Sequence, residues 1–277
     1  MRTHPRLIRL LASAAIGAAL ALPLAACKTA GDGDVTGSIR GSEPAAPTTE
    51  AEWRRVATYW GERYRANTKD AEAAIRYAQA LRATEQRAQA AAVLEQSSME
   101  NPHNKQVLGA FGRALADVGR YEQALDVLER AHTPDQPDWH ILNVQGAVLD
   151  QLGRHPEARR HYASALKMHP DDPSILSNLG LSYALTNDLK RAEDTLRKAS
   201  AQPNAAPKVR QNLALVVGLQ GRFAEAEKIV SADLPQAEAE ANVAYLRDML
   251  AQHNEWKKAG SPPQSAKPKS KLSANSN

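Results

Sequence analysis

One cysteine, eight histidines and 31 carboxylates are the side chains of this 277-residue chain with reactive chemistry to offer. Their spacing decides which chemistry is open. Cys27 is a nucleophilic thiol placed directly behind an apolar run, Leu10 to Leu22, that itself follows Arg2, Arg6 and Arg9. Basic, then apolar, then small is the order of an export signal. The run is shorter than the roughly 20 residues a membrane-spanning helix needs, so residues 1–26 are expected to be cleaved off. His155, His161 and His169 stand six and eight residues apart, and neither gap puts two ring nitrogens on one helical turn. The carboxylates are dispersed, Glu193 and Asp194 beside Lys190 and Arg191 for example, as on solvated faces. There is no phosphate-cradling glycine loop and no nucleophile elbow. No metal, cofactor, small-molecule substrate or catalytic residue is therefore expected, and the chain does not read as an enzyme.

What remains is hydrogen-bonding side chains, and a repeat must position them. Ala90, Ala124, Ala158, Ala192 and Ala226 recur every 34 residues, which sets frames of 71–104, 105–138, 139–172, 173–206 and 207–234. In the eighth place of each frame stand Ala78, Gly112, Gly146, Gly180 and Ala214, always small. The fifteenth place holds Glu85, Gly119, Gly153, Asn187 and Gly221, mostly residues that accept a left-handed backbone where one helix stops and another starts. The twenty-fourth is apolar: Leu94, Leu128, Tyr162, Leu196 and Val230. Pro102 and Pro170 stop the second helix. Each frame is thus predicted to be two antiparallel helices, in closest approach where the eighth and twentieth places meet.

This grammar resembles the tetratricopeptide repeat (TPR), whose period is about 34 residues. The resemblance implies an all-α, right-handed TPR solenoid of about five helix-turn-helix repeats, with capping helices over 50–70 and 235–256. Trp53, Val56, Ala57, Trp60 and Tyr64 in the first cap, and Val243, Leu246 and Leu250 in the second, are expected to pack on neighbouring repeats. Two departures weaken the last frame: Arg210 stands where other frames carry Leu108, Leu142 and Leu176, and Asp233 stands where a small residue is usual. In TPR proteins the first helices line the concave wall. Carried onto this chain, that implies a peptide-binding face made from Gln79, Arg82, Gln106, Arg113, Asp117, His140, Asn143, Asp150, Asn178, Gln211 and Asn212. The amides of Asn178 and Asn212 either bond a bound peptide backbone or serve structure and solvation. The two-lysine carboxylate clamp of chaperone-binding members is absent. Leu181, Leu185, Leu215 and Leu219 turn the later wall apolar, either for a ligand or for the closing helix.

Leu24-Ala25-Ala26-Cys27 resembles the bacterial lipobox, which implies a lipid thioether at Cys27; Lys28 after it implies sorting to the outer membrane. Residues 27–49 then form a polar, flexible tether. Residues 257–277, with five lysines and no acid, form a basic disordered tail. The net charge of +4 falls to +1 without the signal's three arginines, and to −4 for residues 27–256, so nucleic-acid binding is not expected. With one cysteine in the chain, no internal disulfide can form. Lipobox, tether, repeats and the stretch 241–247 together resemble the TadD family of lipoproteins in tight-adherence (Flp) pilus assembly. That resemblance implies an outer-membrane-anchored, periplasmic scaffold whose partners are the pilus secretin or other assembly components. A general periplasmic TPR adaptor for envelope proteases or cell-wall enzymes is the alternative.

Overall fold

The computed structural model describes residues 47 and 49–259, with side chains to residue 252. The signal, Cys27, nearly all of the tether, and the tail from residue 260 lie outside the described residues. Within them the chain forms twelve helices and no strand, apart from one isolated bridge between Thr133 and Gln136. The helices are α1 (Glu50–Ala66), α2 (Ala71–Ala83), α3 (Arg87–Glu100), α4 (Lys105–Asp117), α5 (Tyr121–Glu129), α6 (Trp139–Gln151), α7 (His155–Met168), α8 (Pro173–Leu185), α9 (Leu189–Ser200), α10 (Pro207–Leu219), α11 (Phe223–Val230) and α12 (Gln236–Ala259). They fall into two compact units, one ending at Ala205 and the other starting at Ala206.

Local chemistry sets each helix boundary. The chain enters α1 through a capping box: Glu52 N–H donates to Thr49 Oγ1 (3.3 Å) and Thr49 N–H to Glu52 Oε2 (2.8 Å). Asp70, Asn104, Asp138 and Asp172 each accept a backbone N–H at the start of α2, α4, α6 and α8. Between the two helices of every frame the backbone turns left-handed, with φ of 60° at Glu85, 79° at Gly119, 78° at Gly153, 62° at Asn187 and 82° at Gly221. The next amide then reaches back five residues, as Arg120 N–H does to Leu115 C=O (2.9 Å) and Arg154 N–H to Leu149 C=O (2.8 Å). This is a Schellman turn, which satisfies carbonyls the ending helix leaves open.

In the first unit, paired helices pack in chain order from α1 to α9, and one continuous apolar core runs through α1 to α8. Val56, Trp60 and Tyr64 of α1 are buried in it, with Trp53 and Ala57 packed against it. The small residues have a more specific purpose than helix-on-helix approach. A Cβ on Gly112 would sit 2.5 Å from Leu128 Cγ and 3.3 Å from the Ala124 carbonyl oxygen; on Gly180 it would sit 2.6 Å from Leu196 Cγ and 3.3 Å from the Ala192 carbonyl. On Gly146 it would land on the Tyr162 ring, 2.7 Å from Cζ. The eighth place therefore makes room for the large side chain of the twenty-fourth, and the twentieth contributes chiefly its backbone. Ala90, Ala124, Ala158 and Ala192 are themselves fully buried.

The second frame departs from its neighbours. Its second helix, α5, ends at Glu129 after nine residues, and Pro134 and Pro137 hold the following segment out of helix until Asp138 caps α6.

In the second unit, α10, α11 and α12 share a core of Val209, Leu213, Val216, Val217, Ala226, Val230, Val243 and Leu246. Ala214, at the eighth place, and Ala226 are both buried there. A Cβ on Gly218 would strike Leu246 Cδ2, so α12 covers α10 at that point, and Leu215 and Leu219 are partly buried. The two departures from the repeat answer each other: Arg210 Nε donates to Asp233 Oδ2 (2.6 Å) and its Nη2 to Oδ1 (2.5 Å). An apolar contact has been exchanged for a bidentate ion pair. Helix α12 runs to Ala259, so residues 257–259, expected in the tail, are helical.

Candidate protein-binding wall

Four first helices of the first unit, α2, α4, α6 and α8, stand side by side, each touching the next. Several side chains expected to meet a partner are spent on tying this row together. Arg82 on α2 pairs with Asp117 on α4. Asn178 on α8 donates its amide to Asn143 Oδ1 on α6 (2.9 Å), and Asn143 Nδ2 lies 3.5 Å from Ser174 Oγ. Each tie joins successive frames, leaving fewer free donors than the sequence suggests.

Asp150 corrects the expected wall outright. It is 6% exposed, and its carboxylate faces into the stack. Tyr162 OH donates to Oδ2 (3.0 Å), Ser182 Oγ to Oδ1 (2.8 Å), and His155 Nδ1 stands 2.8 Å from the same Oδ1. Three helices, α6, α7 and α8, thus converge on one carboxylate. Burial raises its pKa, opposed by the hydrogen bonds from His155, Ser182 and Tyr162. The Tyr162 hydroxyl is pushed well above its ordinary value by burial and by the facing Asp150 charge. Ser, His and Asp meet here, yet Ser182 and His155 both bond the acid and not each other, which is not the serine-to-histidine-to-acid order of a catalytic triad. The arrangement is a cross-link. Spacing alone could not find it, because Ser182 and Asp150 are 32 residues apart.

The remaining candidates are more open. Gln79, Gln106 and Gln211 are exposed, while Asn212 and Arg113 are partly buried. His140 is exposed and stacks on Trp139, ring centroids 3.5 Å apart, with Nδ1 3.2 Å from Asp138 Oδ1. The irregular segment before α6 forms an open cleft of about 370 Å³ with these residues, lined by Lys105, His132, Gln136, Trp139, His140 and Met168. The prolines at 134 and 137 were its available sequence signal. His132 and His161 each have a buried Nδ1 without a hydrogen-bond partner. Among the described residues no three His, Cys, Asp or Glu side chains gather as a metal site, and no helix is long and apolar enough to cross a membrane.

A family profile described as tetratricopeptide repeat matches residues 143–206, and one described as anaphase-promoting complex, cyclosome, subunit 3 matches 55–131. This is a tetratricopeptide-repeat fold. The two matches leave out 132–142, the segment of the open cleft. No curated protein matches the chain. Among solved structures, the Cut9–Hcn1 hetero-tetramer of the APC/C is similar at 16% identity and a TM-score of 0.60, over 74% of this chain but only 40% of that one. The TPR protein TTC0263 of Thermus thermophilus is similar at 22% identity and 0.57, covering 65% of this chain and 99% of its own. PilW, described as a widely conserved type IV pilus biogenesis factor, is similar at 15% and 0.60, covering 70% and 91%. The TPR fold is that of a scaffold for binding other proteins.

Proposed function

We propose that this chain is a lipid-anchored scaffold of the outer membrane that serves assembly of the tight-adherence (Flp) pilus, acting on the placement or stability of its secretin. The observation that carries the reading is Leu24-Ala25-Ala26-Cys27, with a polar stretch after it and a TPR array beyond. A thiol in that place takes lipid, the tether lets the array stand off the surface, and the array binds protein. Two or more acyl chains give stable attachment, at about 0.8 kcal/mol per buried methylene. PilW lends support as a pilus biogenesis factor whose length this array nearly spans, though its likeness is one of fold. The work is done by binding and not by catalysis.

Two measurements test it. Cells grown with radioactive palmitate should label the parent and leave Cys27→Ser unlabelled and released from membranes; equal membrane retention without label refutes the anchor. In-cell crosslinking should recover the secretin or other pilus components. Recovery of envelope proteases or cell-wall enzymes instead, with piliation intact in a deletion strain, refutes the pilus role.

A further inference from the structure

Arg113 is the one cation of the α4 wall face whose guanidinium has no hydrogen-bonded or ion-paired partner among the described residues, although it is partly buried. Its natural partner would be Asp117, one turn along the same helix, but Asp117 is taken by Arg82 of the preceding frame. The other nearby acid, Asp138, is committed to the start of α6, accepting from His140 N–H at 2.8 Å. Both carboxylates near Arg113 thus have their hydrogen bonds directed elsewhere, and a guanidinium with unfilled donors is held on the face formed by the first helices. Burial and repulsion by Arg82 lower the pKa of Arg113, opposed by the charges of Asp117 and Asp138.

We infer that Arg113 is an anion-accepting site for the carboxylate of an aspartate or glutamate side chain in a bound protein segment. The planar fork of a guanidinium matches a carboxylate in two parallel hydrogen bonds, and partial burial strengthens them. Arg82 and Asp117 hold the neighbouring helices in place and leave the Arg113 fork open. The inference rests on the reading that this wall holds a protein partner, and it names the chemistry of that partner at one spot.

The test uses the full chain and two immobilised pools of randomised dodecapeptides, alike except that one carries a central Glu-Glu and the other Gln-Gln. The parent should be retained at least about tenfold better by the acidic pool. Arg113→Gln should reduce that preference to near unity while keeping its retention on the Gln-Gln pool, and should melt no lower than the parent, because it removes an unpaired charge. Asp117→Asn frees a second guanidinium and should increase the preference. Equal retention of the parent on both pools, or an unchanged preference in Arg113→Gln, overturns the site and leaves the wall as a protein-binding surface. Failure of both pools to retain the parent overturns the site and the protein-binding wall together.

Discussion

Gly146→Ala is the sharpest test of how the repeats are packed. Gly146 lies mid-helix in α6, and helix propensity alone makes alanine better there by about 1 kcal/mol. The added methyl, however, would fall on Tyr162, 2.7 Å from Cζ and 2.8 Å from Cδ1. The ring cannot swing aside easily, since it is 1% exposed and its hydroxyl is held by Asp150 at 3.0 Å. Overpacking of this kind costs about 1–3 kcal/mol; at the upper end, for a rigid ring, the net loss after the propensity gain is about 1–2 kcal/mol. Gly109→Ala is the control. Its methyl would meet only Ile141 Cδ1, at 2.6 Å, the tip of a flexible side chain. That substitution should be neutral or stabilising. Urea denaturation of both variants, followed by helical circular dichroism, separates the two effects. If Gly146→Ala is as stable as Gly109→Ala, the eighth place is not reserved for the twenty-fourth side chain and the packing argument fails.

Asp150→Ala should cost about 3 kcal/mol, because it strands the buried Tyr162 and Ser182 hydroxyls; Asp150→Asn, which keeps one acceptor, should cost less in the same urea titration. Glu85→Gly should stabilise by about 0.5–1 kcal/mol, since Glu85 holds a φ of 60° that glycine adopts without strain, and an unchanged melting temperature would contradict this. Arg210→Leu and Asp233→Ala should each lower the melting temperature, while the double variant recovers most of the loss; additive losses would show that the two departures do not compensate. The pKa of His161 lies below the ordinary imidazole value, chiefly through burial, with His132 and Arg160 adding repulsion. Its folded form therefore resists protonation, and its share of stability is present above the ordinary imidazole value and lost as pH falls through the lowered one. Melting temperature should drop between about pH 7 and about pH 5, less steeply in His161→Gln.

The repeat was legible because its positions are fixed by backbone geometry, which leaves a mark at every period. A left-handed turn demands Gly or Asn nearly every time, and Glu85 shows that a single exception does not move it. A second periodic signal was there to be read: Asp70, Asn104, Asp138 and Asp172 also recur at 34 residues and start the first helices of four frames. The wall was less legible. The register placed Arg82, Asp117, Asn143 and Asn178 on the first helices but not against one another, because those pairings depend on how one frame is rotated on the next. Asp150 was misplaced for a related reason. An acid is exposed by default, and only the meeting of Tyr162, Ser182 and His155 makes its burial tolerable.

These polar ties bear on which residues can recognise anything. A side chain whose hydrogen bonds are filled within the fold must break them to bind, so it gives a partner little net affinity. By that measure Arg82, Asp117, Asn143, Asn178 and Asp150 build the surface, and recognition falls to what is left with unspent capacity. Gln79 and Gln106 are exposed, His140 is stacked on Trp139 at the rim of an open cleft, and the Arg113 guanidinium makes no hydrogen bond or ion pair among the described residues. The last frame's Arg210 shows the alternative fate of an arginine in this chain, closed off in both hydrogen bonds by Asp233. Arg113 makes no such pair, and in the inference drawn above a bound partner supplies the carboxylate.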